Sequence, residues 1–299
     1  MSGIIIPYSN PDLDGVACAI ALAELSDAPW AAHILGTIDE ETRVVLDGLG
    51  LSVPSQAPEW TSVERIWLVD THHPNQLPAD LPFGRVVRIT DHHPSGAPDR
   101  FPCAAIENEP VGAAATLVAE RVAEQPDRIS GTMAGLLQAA ILSNTLDFKA
   151  PATSPRDHAM FALLERIAPL PGHIVEAMAL ARRSKLAMDT QAIVDGDVKL
   201  FDTSLGRIAV SQVETGGALD LLEREDLLAS LAVLEMSRQA DSAVLNLVDL
   251  DRQESALLST SPATINRLAA ALGLPADRLG IIRARRLLQR KSDIIPHLA

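Results

Sequence analysis

The chain has 299 residues, of which 47% are hydrophobic and 21% charged, a globular composition that excludes wholesale disorder. Its net charge of −14 repels the phosphate backbone of nucleic acids, so we expect no long DNA or RNA partner. No apolar run reaches the length of a bilayer and the N-terminus lacks a signal-peptide layout, so we expect a cytoplasmic protein without a membrane partner.

Short apolar runs alternate with helical segments over the first 110 residues. The run GIIIPYS predicts a buried strand, and GVACAIALAELS predicts the helix after it. RIWLVD and RVVRITD predict further strands of the same kind. Continuous apolar runs between helices are typical of parallel strands that are buried on both faces of a sheet. Ligands of such sheets bind at the carboxyl ends of the strands.

The second half of the chain has a different pattern. Residues 110–185 are mostly helical, and KLFDTSLGRIAVSQVE then predicts two strands around a glycine turn. Further strands and helices complete a second α+β unit. We therefore predict an α/β protein with a first domain at 1–184, a polar linker at 185–196 and a smaller second domain at 197–299.

Acidic and polar clusters follow three of the predicted strands. Taken singly, NPDLD at 10–14 is typical of a turn whose side chains bond their own backbone, and DHH at 91–93 of a helix cap or polar turn. Three clusters at the ends of consecutive buried strands indicate a site instead. Carboxylates and imidazoles suit a pair of divalent ions, which can activate a water and clamp a phosphoryl oxygen. The side chains of this kind are Asp12, Asp14, Asp70, Asp91, His92 and His93.

The order and spacing of these motifs resemble the DHH phosphoesterase superfamily. In the first half the resemblance rests on NPDLD, LVD, DHHP and EPVGAAAT. In the second half VKLF, IAVSQVE and QRKSDIIP are similar to the DHHA2 domain of family II inorganic pyrophosphatases, cytosolic exopolyphosphatases and prune-like proteins. The resemblance runs from Ile5 to Pro296. It implies an N-terminal parallel-sheet DHH domain for metal binding, a smaller α+β DHHA2 domain, and an active site in the cleft between them.

The resemblance also implies a set of metal ligands. Asp12 would bind a first ion and Asp14 a second, with Asp70 bridging both. His92 would be another ligand of the second ion, and Asp91 would orient it. The implied cofactors are two divalent metal ions, Mn²⁺ first, with Co²⁺ or Mg²⁺ as alternatives.

Four residues match positions that contact substrate phosphates in the family. His93 would face a phosphate, while Lys199, Arg290 and Lys291 match the phosphate-binding cations of the DHHA2 domain. Arginine offers a bidentate fork and lysine a point charge for phosphate oxygens. By itself, the basic end of the chain would be interpreted as a solvated charge run.

Two positions depart from the family pattern. Tyr8 stands where the family has a metal-binding histidine, and a phenol with a pKa near 10 is a poor ligand at neutral pH. Asn144 stands where a carboxylate ligand is expected and offers only an uncharged carbonyl oxygen. Nearby residues that could compensate are His72, His73 and Asp147, although none is established as a ligand by the pattern.

The favoured function is a metal-dependent phosphohydrolase in which a metal-bridging hydroxide attacks pyrophosphate or a short polyphosphate. An alternative is a phosphodiesterase or phosphatase that acts on a small nucleotide or another phosphate ester. A nuclease of the DHHA1 branch is less favoured, because the glycine-rich segment of that branch is lacking. The two altered positions also keep open a phosphate-binding homologue with weakened catalysis. By resemblance to the pyrophosphatases, a homodimer is expected.

Overall fold

The structure is a computed structural model that describes residues 3–27, 29–94, 96–125 and 128–298. The chain divides into two units between Met178 and Ala179, a few residues before the boundary predicted at 184. In the described ranges no helix is long and apolar enough to cross a membrane. Each unit contains a five-stranded sheet, so the α/β class predicted from the sequence is confirmed.

All strand pairs in the first sheet are parallel, in the order β2-β1-β3-β4-β5. The central strands are buried on both faces, as their continuous apolar runs predict. Ile5 and Trp67 pack into a core on one face of the sheet, and Ile6 and Leu68 into a core on the other. The strands are β1 Gly3–Ile6, β2 Trp30–Ala32, β3 Arg65–Val69, β4 Val86–Asp91 and β5 Ala105–Asn108.

Small alanine side chains of three helices in the first unit meet in one core. Ala17 and Ala21 of α1 belong to the same core as Ala115 of α3 and Ala140 of α4. Each of these side chains is fully buried. The helices are α1 Leu13–Leu25, α2 Glu40–Gly48, α3 Ala114–Glu124, α4 Gly131–Asn144, α5 Pro155–Ile167 and α6 Gly172–Ser184, the last of which crosses the boundary between the units.

The order of the strands brings the polar clusters to one edge of the first sheet. β1, β3 and β4 are adjacent and parallel, so their carboxyl ends meet at the same edge. The turn at 10–14 follows β1, Asp70 follows β3, and Asp91 ends β4. Parallel topology therefore explains how residues far apart in the chain become neighbours.

The second unit has a mixed sheet in the order β10-β9-β8-β7-β6, in which only the β7–β8 pair is parallel among the pairs described. Its strands are β6 Val198–Thr203, β7 Gly206–Thr215, β8 Ser242–Asp249, β9 Glu254–Ser259 and β10 Ile282–Ala284. Its helices are α7 Thr190–Asp195, α8 Leu227–Ser237, α9 Pro262–Leu272 and α10 Ile295–Leu298.

The stretch 185–196, predicted as a linker, contains helix α7. Ile193 and Val194 of this helix are buried in the core of the second unit. Asp189 caps the helix by accepting a hydrogen bond from the Ala192 amide at 2.9 Å. The stretch is polar on average, but two neighbouring apolar side chains are enough to dock a short helix against the sheet.

Candidate metal centre

The two aspartates after β1 have different local roles. Asp12 caps α1, and its Oδ1 accepts the backbone N–H groups of Asp14 at 3.1 Å and Gly15 at 3.4 Å. Asp14 lies in the first turn of α1 and is 1% exposed. Its two oxygens accept the N–H groups of Ala114 at 2.7 Å and Ala115 at 2.8 Å. The start of α3 thus fixes the Asp14 carboxylate with amides that have no partner within their own helix.

The Asp14 carboxyl lies in a strongly negative environment. Burial raises the pKa of Asp14 well above its usual range, and the neighbouring charge of Asp70 raises it further. Contacts with His92 and with the Ala115 amide act in the opposite direction. Two buried carboxyls that hinder each other's ionisation form a place where a cation would be stabilised.

Asp70 lies at the centre of the cluster. It is 2% exposed and has a positive φ of 58°, which turns the chain sharply at the end of β3. Its amide donates to the carbonyl of Thr90 at 2.9 Å. Its Oδ1 lies 3.3 Å from Nε2 of His92 and 3.7 Å from Nδ1 of His93. Asp70, His92 and His93 together offer donor atoms within 4.8 Å of one another, the spacing of a metal site.

Backbone from the EPVGAAAT motif orients His92. Its Nδ1 lies 2.8 Å from the carbonyl oxygen of Val111, which can only accept a hydrogen bond. The proton is therefore on Nδ1, and Nε2 keeps a lone pair for a metal. That Nε2 atom lies 4.0 Å from Oδ2 of Asp14 as well as beside Asp70.

Asp91 is wholly buried and holds the side chains of two histidines. Its Oδ1 accepts from Nδ1 of His93 at 2.6 Å, and its Oδ2 contacts Nδ1 of His72. It also accepts the His92 amide at 2.7 Å. Burial alone would raise the pKa of Asp91, but hydrogen bonds from His72 and His93 hold it well below its usual range. Asp91 therefore orients the ring of His93, and it reaches His92 through the backbone amide.

Asn144, at the end of α4, lies beside the predicted ligands. Its Nδ2 donates to Oδ2 of Asp14 at 2.8 Å and to the carbonyl of Gly112 at 3.1 Å. The same nitrogen is 3.3 Å from Nε2 of His92. A rotation of the Asn144 side-chain amide by 180° would place its carbonyl oxygen, an acceptor, where the Nδ2 donor now lies. Its role as a ligand stays a prediction.

The donor set fits a divalent cation. Ligands about 2.1 Å from one octahedral ion lie roughly 3 Å apart when adjacent and about 4.2 Å apart when opposite. The observed separations are 3.3 Å between His92 Nε2 and Asp70 Oδ1 and 4.0 Å between His92 Nε2 and Asp14 Oδ2. Carboxylate oxygen, imidazole nitrogen and amide oxygen are ligands that Mn²⁺ accepts.

Tyr8 lies in the cluster and contacts Asp12. Its hydroxyl oxygen accepts the Asp12 amide at 3.2 Å. Burial, followed by the charges of Asp12 and Asp70, raises the pKa of Tyr8 well above its usual value of 10.0. The side chain is therefore a neutral phenol at physiological pH.

The residues considered as replacements for the altered ligands lie in other environments. His72 contacts Asp91, as described above, and is only 5% exposed. Nδ1 of His73 accepts the Asn75 amide at 3.4 Å and caps a single 3₁₀ turn. Asp147 is exposed and has a positive φ of 54°, in a left-handed turn after α4. Their predicted compensating roles stay hypotheses.

The second unit holds the predicted phosphate-binding cations. Arg290 is only 4% exposed, and its guanidinium donates to both carboxylate oxygens of Asp197 at 2.9 and 3.0 Å. It also donates to the carbonyls of Asp197 and Val210. Lys199 is half-buried on β6, and Lys291 is exposed. The basic segment QRK is thus anchored by an ion pair between the buried Arg290 and the half-exposed Asp197, which the sequence did not reveal.

The sequence pattern did not identify Asp157, whose carboxylate holds the backbone at Gly112 next to the metal centre. It is fully buried in α5 and accepts the Gly112 amide at 2.9 Å and the Thr116 hydroxyl at 2.5 Å. The Ser154 amide donates to the same carboxylate. The available signal was the capping pattern Ser-x-x-Asp at 154–157, which predicts a helix start but says nothing about Gly112.

The pH dependence of folding in metal-free protein should reflect Asp14. Because its pKa is raised in the folded state, Asp14 contributes stability at low pH, and that contribution is lost as the pH rises through the raised value. We expect the wild type to lose stability relative to Asp14→Asn as the pH rises from about 4, across the range in which the protein stays folded, measured by urea unfolding in a chelating buffer. A constant difference across that range would contradict the electrostatic account of this carboxyl.

Comparisons with known proteins agree with this geometry. The N-terminal domain of the DHH family matches residues 3–141. A manganese-dependent inorganic pyrophosphatase of Methanothrix thermoacetophila is 31% identical over 301 residues, which cover 98% of this chain and 96% of that protein.

Solved structures share the fold of the whole chain. A Methanococcus jannaschii protein, described as a candidate family II inorganic pyrophosphatase, has a TM-score of 0.82 and 26% identity and covers 99% of this chain and 98% of that chain. An exopolyphosphatase-related protein from Bacteroides fragilis has a TM-score of 0.54 at 14% identity, covers 95% of this chain and 86% of that chain, and supports the fold alone. The protein therefore belongs to the DHH family of phosphoesterases, in the group that contains the manganese-dependent inorganic pyrophosphatases.

Proposed function

We propose that this protein is a metal-dependent phosphohydrolase that cleaves pyrophosphate or a short polyphosphate. One observation carries the proposal: Asp70 Oδ1 and His92 Nε2 lie 3.3 Å apart at the carboxyl edge of the sheet, with Asp14 and His93 beside them. Such a buried group of carboxylates and imidazoles suits divalent cations far better than it suits a general acid–base pair. The near full-length pyrophosphatase relatives support the choice of substrate class.

The residues of the centre divide the work of binding and orientation. Divalent ions held there would lower the pKa of a bound water and stabilise charge on a phosphoryl oxygen. Asp14 and Asp70 supply negative charge, and Val111 holds His92 in the tautomer that a metal requires. His93 is bound to Asp91 through Nδ1, and its Nε2 would contact a phosphate oxygen.

The proposal also includes the metal, the phosphate-binding cations, the cellular location and the oligomeric state. Manganese is the first choice because the Methanothrix thermoacetophila relative is named for it. Phosphate binding by Lys199 and Lys291 stays a prediction, as do the cytoplasmic location and the homodimer. Arg290 would bind a phosphate together with these lysines only if the phosphate displaced its carboxylate partner Asp197.

Phosphate release from a panel of substrates tests the substrate class. The metal-loaded protein should release phosphate from pyrophosphate or tripolyphosphate faster than from small nucleotides or phosphate monoesters. A preference for a nucleotide or a monoester would favour a small-molecule phosphoesterase instead. Absence of turnover with every substrate and every divalent ion would overturn the assignment as an enzyme and leave a phosphate-binding protein.

A further inference from the structure

A buried carboxylate is held between two histidines behind the metal centre. Asp91 is 0% exposed, and its Oδ1 accepts from the His93 ring at 2.6 Å and from the amides of His92 at 2.7 Å and His93 at 3.3 Å. Its Oδ2 contacts Nδ1 of His72. Among the described residues, His72 is the donor seen for this oxygen. An ionised carboxylate can only accept, so both imidazoles carry their proton on Nδ1.

His72 has a single position available to it. Its ring is 5% exposed, and a Cβ atom added at Gly96 would lie 1.9 Å from the ring, so the glycine backbone covers it at close contact. The carbonyl of His72 accepts the Ala97 amide at 3.1 Å. The ring is outside the group of donor atoms formed by Asp70, His92 and His93. It therefore faces the carboxylate and not the ion.

We propose that His72 is a positioning residue that, by locking the Asp91 carboxylate, fixes the ring orientation and tautomer of His93. The role of His93 toward substrate rests on the proposed function, whereas the effect on its ring does not. The His93 ring is anchored through one oxygen of Asp91 and His72 holds the other, so the two contacts together fix the plane of the carboxylate. Without a donor at Oδ2 the buried carboxylate would turn to find one, because an unsatisfied charged oxygen is strongly disfavoured.

Two substitutions at position 72 separate a hydrogen bond from mere packing. His72→Asn retains an N–H donor close to the place of Nδ1, whereas His72→Leu fills similar space without a donor. The matched controls are His33→Asn and His33→Leu, because His33 lies in the same unit and its ring bonds only to the loop at Ser55 and Gln56 among the contacts described. The first measurement is ¹⁵N NMR of the histidine rings in metal-free protein.

We expect His72→Leu to change the His93 ring signals from one fixed tautomer to a mixture, and His72→Asn to preserve them. With pyrophosphate and Mn²⁺, His72→Leu should lower kcat/KM by about 10- to 100-fold, the range seen for partners that orient active groups. His72→Asn should stay within a few-fold of wild type, as should both substitutions at His33. Unchanged His93 signals in His72→Leu would overturn the proposal.

A third variant guards against a folding defect. Gly96→Ala changes no side chain of the hydrogen-bonded chain but forces the His72 ring to move. It should reproduce the mixed His93 tautomers of His72→Leu, and wild-type signals would count against the proposal. If wild type hydrolyses no phosphoanhydride while the His93 signals respond as expected, the positioning role stands and the proposed function fails.

Discussion

Asp70→Asn should abolish both Mn²⁺ binding and the hydrolysis of pyrophosphate. Asp70 Oδ1 lies 3.3 Å from His92 Nε2 and 3.7 Å from His93 Nδ1. Loss of its charge removes the carboxylate shared by the predicted ligands, so turnover should fall by more than about 100-fold, beyond the effect of an orienting partner. Titration calorimetry and phosphate release measure the two effects separately.

The fold should survive this substitution. Asp70 has a φ of 58°, and asparagine is one of the few residues that adopt this region readily. Asp80→Asn, at an exposed position of the same unit, is the matched control and should behave as wild type. If Asp70→Asn bound Mn²⁺ as tightly as wild type, the ion would have to be held elsewhere.

Asn144→Asp should have opposite effects on metal-free and metal-loaded protein. Asn144 Nδ2 donates to Asp14 Oδ2 at 2.8 Å, and a carboxylate there would face a buried carboxyl with no donor between them. We expect the free energy of unfolding of metal-free protein to fall by about 1–3 kcal/mol. The added charge should tighten Mn²⁺ binding by more than about tenfold, because ligand charge tunes affinity for divalent cations.

Thermal unfolding with chelator and with Mn²⁺, together with calorimetry, measures both changes. Asn75→Asp adds the same charge at an exposed position of the same unit and should alter neither quantity. Equal affinity in Asn144→Asp and wild type would show that the amide lies outside the coordination sphere.

The first sheet and the edge that carries the polar clusters were predictable because each strand is marked by an apolar run in its own sequence. Ile4 to Ile6 and Ile66 to Val69 are continuous buried apolar runs, which are typical of a parallel strand covered on both faces. Once the strands are parallel, the clusters that follow them must share an edge. Asp70 beside His92 follows from that topology without knowledge of any side-chain contact.

Other features depend on packing that no local pattern encodes. Nothing around Arg290 indicates that its guanidinium is buried against Asp197, because the partner lies more than ninety residues away. The support of Gly112 by Asp157 is of the same kind. The contact of His72 Nδ1 with Asp91 is another example. Such contacts arise only when helices and loops pack on the sheet.

The most direct test of the whole account is phosphate release from pyrophosphate by wild type that has been stripped of metal and then reloaded. We predict that the wild type does not hydrolyse pyrophosphate in chelator and does so again when Mn²⁺ is added back. The Asp70→Asn variant treated in the same way should show no hydrolysis at either stage. Hydrolysis that continues in chelator, or that persists in Asp70→Asn, would contradict a metal-dependent reaction at this edge of the sheet.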